Sequence, residues 1–117
     1  MNYDPNNIFA RILRREIPAQ ILHEDHLCLA FRDQAPKAPV HFLVVPKRPI
    51  ARLADADAQD KAALGHLLVV AAQVAKQLGV ANDGFRTVIN SGERAGQTVF
   101  HLHVHVLAGR DLRWPPG

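Results

Sequence analysis

The stretch FHLHVHVLAG, residues 100–109, carries histidine at every second position: His101, His103 and His105. Leu102, Val104 and Val106 alternate with them. On an extended strand such an alternation sends the imidazoles to one face and the apolar side chains to the other, with same-face roots roughly 6.5–7 Å apart. Three kinds of chemistry suit that face. It could be a solvated strand surface. It could be a metal site of the three-histidine type, although no cysteine or carboxylate lies within the motif and same-face residues of one strand diverge. It could serve phosphorus chemistry, because imidazole is a nucleophile when neutral and a phosphate donor when protonated, and it titrates near neutrality. The preceding segment NSGERAGQTVF favours the third reading. Gly92 and Gly96 could bring backbone N–H groups close to an anion. Gln97 and Thr98 add an amide and a hydroxyl just before the histidines.

The elements around this motif follow from spacing and punctuation. Asp4-Pro5 predicts a helix start, Ile8, Phe9, Ile12 and Leu13 recur at helical spacing, and Pro18 ends the run. Residues 20–24, 27–33 and 40–47 read as strands, with QAPKAP at 34–39 as the loop before the third. A long helix follows, capped by Asp55 or Asp57. Leu64, Leu67, Leu68, Ala71, Ala75 and Leu78 form its apolar stripe, and Gly79 stops it. Residues 85–90 read as a strand, a turn-rich loop leads into the histidine strand, and RWPPG is an irregular tail. Neighbouring strands joined by short loops around one long helix predict an α+β fold with an antiparallel sheet.

The composition sets limits on function. A chain of 117 residues, 48% hydrophobic and 21% charged, predicts one globular domain spanning residues 1–117. Its only cysteine, Cys28, cannot form an internal disulfide, and a buried apolar role suits it best. No apolar run is long enough to cross a membrane and the N-terminus lacks a signal-peptide core, so a cytoplasmic protein is expected. The net charge of +3 is spread over pairs such as Arg14-Arg15 and Lys47-Arg48. That suits a small anionic ligand. With 6% aromatic residues and no stacking motif, no nucleic-acid partner is expected.

The residues carry a further resemblance. HLHVHVL at 101–107 is similar to the His-φ-His-φ-His-φ-φ signature of the histidine-triad (HIT) superfamily, φ being apolar. IFARILRREIPA, CLAFRD, APVHFLVVPK, VINSG, GQTVFHLHVHVLAGR and the final WPPG resemble its Hint branch, the histidine-triad nucleotide-binding proteins, over nearly the whole chain. The resemblance implies a HIT-like fold with one long and one short helix, and a homodimer in which two sheets become one. It implies hydrolysis of purine nucleoside 5′-phosphoramidates, of the adenosine 5′-monophosphoramidase type, without metal or cofactor. His103 would be the nucleophile that becomes nucleotidylated, and His105 would donate to a phosphate oxygen. His101 and His41 would orient the site. Thr98, where the family commonly has serine, would assist the leaving group. Asp33 would hold the ribose hydroxyls; Asn90, Gly96 and Gln97 would help hold ribose and phosphate. Ile8, Phe9, Ile12 and Phe31 would line the base pocket, with Gln34 at its rim in place of an apolar residue. Trp114 would face the leaving group. His105 is intact, where transferase members of the superfamily have glutamine, which favours hydrolysis. A dinucleoside polyphosphate hydrolase and a nucleotide-binding interaction module with vestigial catalysis are the alternatives.

Overall fold

The computed structural model describes residues 1–117. Five strands form one antiparallel sheet: β1 (Ile21–Glu24), β2 (Cys28–Arg32), β3 (Val40–Pro46), β4 (Phe85–Val88) and β5 (Val104–Ala108), in the order β1-β2-β3-β5-β4. Two helices, α1 (Ile8–Leu13) and α2 (Lys61–Gln77), complete the α+β fold.

The period-two pattern of the central strands explains where each helix sits. Cys28 and Ala30 of β2, Phe42 and Val44 of β3, and Val104 and Val106 of β5 point to one face. There they bury against Leu67, Val70, Ala71 and Val74 of α2. The intervening residues Leu29, Phe31, Leu43 and Val45 point to the other face and pack on Phe9 and Ile12 of α1. Both faces of the middle strands are therefore apolar, and β3 reads as a continuous hydrophobic run for that reason.

Several boundaries differ from the sequence expectation. The cap of α1 is Asn7, whose side chain accepts from Ala10 N–H, while Asp4 instead accepts from Asn6 N–H in the turn before it. Asp55 and Asp57 belong to two short 3₁₀ turns that precede α2, and α2 starts only after Asp60. Leu68 is half-exposed rather than part of the buried stripe, which instead includes Val70 and Val74. Gly79 ends α2 as expected. With φ of 76°, it lets Val80 N–H reach Ala75 O and its own N–H reach Lys76 O. The histidine segment joins the sheet only at Val104, so His101 and His103 precede β5.

Candidate functional site

β5 lies between β3 and β4, with Leu43 opposite His105 and His41 opposite Leu107. This pairing puts His41, Leu43, His103 and His105 on the face away from α2. A cleft of about 350 Å³ opens there. One wall is apolar, from Ile8, Phe9, Ile12, Phe31, Leu43 and Val99. The other is polar, from Asp33, Gln34, Asn90, Gly96, Thr98, His103 and His105.

The hydrogen bonds assign a tautomer to each histidine. His103 Nδ1 lies 2.7 Å from the carbonyl oxygen of His101, which can only accept, so Nδ1 carries the proton. Its Nε2 then presents a free lone pair. The His103 ring is buried, and its plane is held nearly perpendicular to Phe9, with centroids 4.8 Å apart. Burial pushes its pKa below the ordinary 6.5, outweighing the raising effects of the His101 carbonyl and of Asp33. The ring is neutral at pH 7, as a nucleophile requires.

His105 is set by a longer chain. Lys37 N–H donates to His41 Nδ1 at 3.0 Å, which leaves the proton of His41 on Nε2. That N–H lies 2.9 Å from His105 Nδ1, which must accept, so His105 carries its own proton on Nε2. Asp33 Oδ2 stands 3.4 Å from His41 Nε2, and Asp33 Oδ1 accepts from Ala35 N–H. Burial, reinforced by the neighbouring His103 and His41, lowers the His105 pKa to about 4. His41 is lowered as well, chiefly by burial. His105 is thus a neutral donor, beside a neutral acceptor at His103; the two ring centroids are 4.9 Å apart. One imidazole can attack an electrophile while the next donates to its oxygen.

His101 stands apart. Its Nε2–H donates to Pro46 O at 2.8 Å and its Nδ1 accepts from Tyr3 O–H at 2.6 Å. Neither ring nitrogen is left for a ligand, and His101 acts on the cleft through its carbonyl. The three histidines therefore do not share one imidazole face. The motif carries an acceptor, a donor and an anchor. Tyr3 was not legible as part of this arrangement, because it lies 98 residues away in sequence with no local pattern to mark it.

The loop before β5 corrects two further expectations. Gln97 does not face the cleft. Its amide donates to Ala51 O and Val99 O and its carbonyl accepts from Gly92 N–H, so it ties the loop together from inside. The Gly92 and Gly96 amides are also taken, by Gln97 Oε1 and Glu93 O. They do not form an open anion cradle. Gly96 still lines the cleft, where its φ of 94° favours glycine. Trp114 lies outside the cleft of its own chain and is 81% exposed, with the Arg86 guanidinium 6.0 Å from its ring centroid. Arg86 also donates to the carbonyls of Leu112 and Arg113, fixing the start of the tail.

The comparisons with known proteins agree with this geometry. The HIT domain family model matches residues 14–112. An uncharacterized HIT-like protein of Synechococcus elongatus is 60% identical over 112 residues, covering 96% of this chain and 97% of the relative. A HIT family hydrolase from Legionella pneumophila superposes with a TM-score of 0.93 at 42% identity, over 96% of this chain and all of that one. A histidine triad protein from Clostridium difficile gives 0.90 at 41% identity, over 97% of both. With its triad, its sheet and nearly its whole length matched, the chain belongs to the HIT domain family.

Proposed function

We propose that the chain hydrolyses purine nucleoside 5′-phosphoramidates through a nucleotidyl-His103 intermediate. The observation that carries this reading is the His103 tautomer: the carbonyl of His101 fixes Nδ1–H and turns the Nε2 lone pair into the cleft. The lone pair attacks the α-phosphorus, a P–N bond to His103 forms, and the P–N bond to the amine breaks. The Thr98 hydroxyl stands in the cleft wall to relay a proton from solvent to the leaving nitrogen, which departs as the amine. His105 Nε2–H donates to a non-bridging oxygen as charge builds there. Water then attacks the same phosphorus and loses its proton to solvent, the P–N bond to His103 breaks, the nucleotide leaves and His103 returns to its neutral form. None of these steps calls for a metal or cofactor.

The apolar wall, where Ile8 stands beside Phe9 packed edge-on against Phe31, suits a flat base, and Asp33 lines the polar part of the cleft for the ribose hydroxyls. The exposed Leu68 and Val69 on α2 and the outer strand β4 support a homodimer with a joined sheet, which would bring the partner's tail near this cleft.

The test is rapid-quench mass spectrometry with an AMP phosphoramidate. It should trap a nucleotidylated protein that is absent from His103→Ala, and this variant should lose turnover yet still bind AMP. Turnover by His103→Ala near the wild-type rate would refute the assignment. Faster turnover of a dinucleoside polyphosphate than of the phosphoramidate would assign the same cleft to that substrate class.

A further inference from the structure

On the face opposite the cleft, four metal-ligating side chains from three elements converge. His23 lies in β1, Asp25 in the turn after it, Cys28 at the start of β2 and His66 in α2. Asp25 is held from behind, because its Oδ1 accepts from Leu27 N–H and Cys28 N–H at 2.8 and 2.9 Å. Its Oδ2 faces outward and receives His23 Nε2 at 2.7 Å and His66 Nε2 at 2.6 Å. Cys28 Sγ lies 3.7 Å from the same oxygen. The donor atoms of His23, Asp25 and Cys28 all fall within 4.8 Å of one another, and His66 Nε2 joins this group through Asp25 Oδ2.

We propose that His23, Asp25, Cys28 and His66 form a binding site for a single borderline divalent cation of the Zn²⁺ or Co²⁺ type, separate from the hydrolytic cleft. Two imidazoles, one carboxylate and one thiolate are a donor set such ions take in tetrahedral geometry. Ligand atoms in that geometry stand roughly 3.3–3.6 Å apart. The sulfur–oxygen distance is already near that value. The two nitrogens now sit closer, at hydrogen-bond distance, with protons where the cation would be. Occupying the site requires the imidazoles of His23 and His66 to rotate off the carboxylate oxygen, and that of His66 to draw in toward the other donors. Both can do so, since the side chains of His23, Asp25 and His66 are each 23–30% exposed and form the mouth of the site. Cys28 forms its floor and is fully buried.

Binding displaces the Cys28 thiol proton to solvent and moves the His23 and His66 protons from Nε2 to Nδ1. The cation would join the β1–β2 hairpin to α2 by coordination, in place of the present hydrogen bonds.

The experiment is calorimetric titration of the full-length protein with Zn²⁺ under saturating AMP, which occupies the cleft histidines, together with Co²⁺ absorption spectra. One Zn²⁺ per chain is expected, and Co²⁺ should give tetrahedral visible bands with a thiolate charge-transfer band. Cys28→Ser should lose the charge-transfer band. His23→Phe and His66→Gln should weaken binding by more than about tenfold, with phosphoramidate hydrolysis unchanged. His23 is a partly exposed residue of a short outer strand, so His23→Phe leaves the fold intact and decides the matter even if Cys28→Ser unfolds. No Zn²⁺ uptake, or uptake undiminished in His23→Phe, would show the cluster to be a clamp between hairpin and helix only.

Discussion

The relay from Lys37 through His41 to His105 can be cut at one bond. In His41→Asn the side-chain carbonyl can still accept from Lys37 N–H, but the shorter side chain no longer reaches His105 Nδ1, which now lies 2.9 Å from His41 Nε2. His105 then has two poor options. If it keeps its proton on Nε2 for the phosphate, its Nδ1 lone pair is left unpaired next to a buried wall, at about 1–3 kcal/mol. If it moves the proton to Nδ1, it faces the phosphate with a lone pair and the donor is lost. Because the donor matters most as charge builds on the phosphate, the cost falls on the transition state, and kcat should drop by about 5- to 150-fold. AMP affinity should change less. His41→Gln supplies the remedy, since its longer side chain can place an amide N–H near the position of the lost Nε2–H. It should recover much of the rate. Stopped-flow turnover of a fluorogenic AMP phosphoramidate, with circular dichroism to confirm folding, measures both variants. A folded His41→Asn protein with wild-type kcat would refute the relay. So would a His41→Gln protein as slow as His41→Asn while binding AMP normally.

Other outcomes follow from the same geometry. Neutral His103 is required and burial lowers its pKa, so kcat/KM should hold steady as pH falls through 6.5 and decline only in more acid solution; an acid limb centred above 6.5 in a pH–rate profile would contradict this. His105 ionises at about 4 when folded and near 6.5 when unfolded. The unfolded chain therefore binds more protons between these values, and the stability this group contributes above pH 6.5 should be lost as pH falls toward 4, read as a falling urea midpoint. Tyr3→Phe removes the hydroxyl on His101 Nδ1 and should lower stability by about 1–3 kcal/mol in urea unfolding. Its kcat should be nearly unchanged, because His101 acts on His103 through the carbonyl. Deleting residues 113–117 should alter the ratio of kcat/KM for aromatic over aliphatic amine leaving groups and leave AMP affinity alone; an unchanged ratio would confine Trp114 to a structural part.

The strands were legible because their residues obey a period of two, and α2 because it ends on a glycine that adopts positive φ. The start of α1 was misplaced because Asp4 and Asn7 are both good caps, and only the bond to Ala10 N–H distinguishes them. The histidine triad could be read as a unit of chemistry, yet its division of labour could not. That depends on what each second ring nitrogen meets, and those partners (Pro46 O, Tyr3, His41) come from distant segments. Gln97 was misread for a related reason. A polar residue beside a glycine turn can serve a ligand or close the loop, and local sequence is the same in both cases. Three residues of the other cluster, His23, Asp25 and Cys28, lie in one short stretch, but His66 comes from a helix 41 residues beyond Asp25, so only folding joins them.

The alternation along β5 has a consequence for how such a site can change. Val104 and Val106 are fully buried against α2, and His103 and His105 project from the same few peptide units. The spacing of the two imidazole roots is therefore a property of covalent backbone geometry braced by the core, while the orientation of each ring is set by His101 O and by the His41 relay. A substitution under the strand shifts the histidines above it, so this half of the cleft has little room to drift. The facing half is more separate: the segment from Asn90 to Val99 approaches the cleft from outside the sheet, and of α1 Phe9 packs on the His103 ring. Under the proposed function, new bases or leaving groups would be accommodated by remodelling that half, against histidine roots that stay fixed.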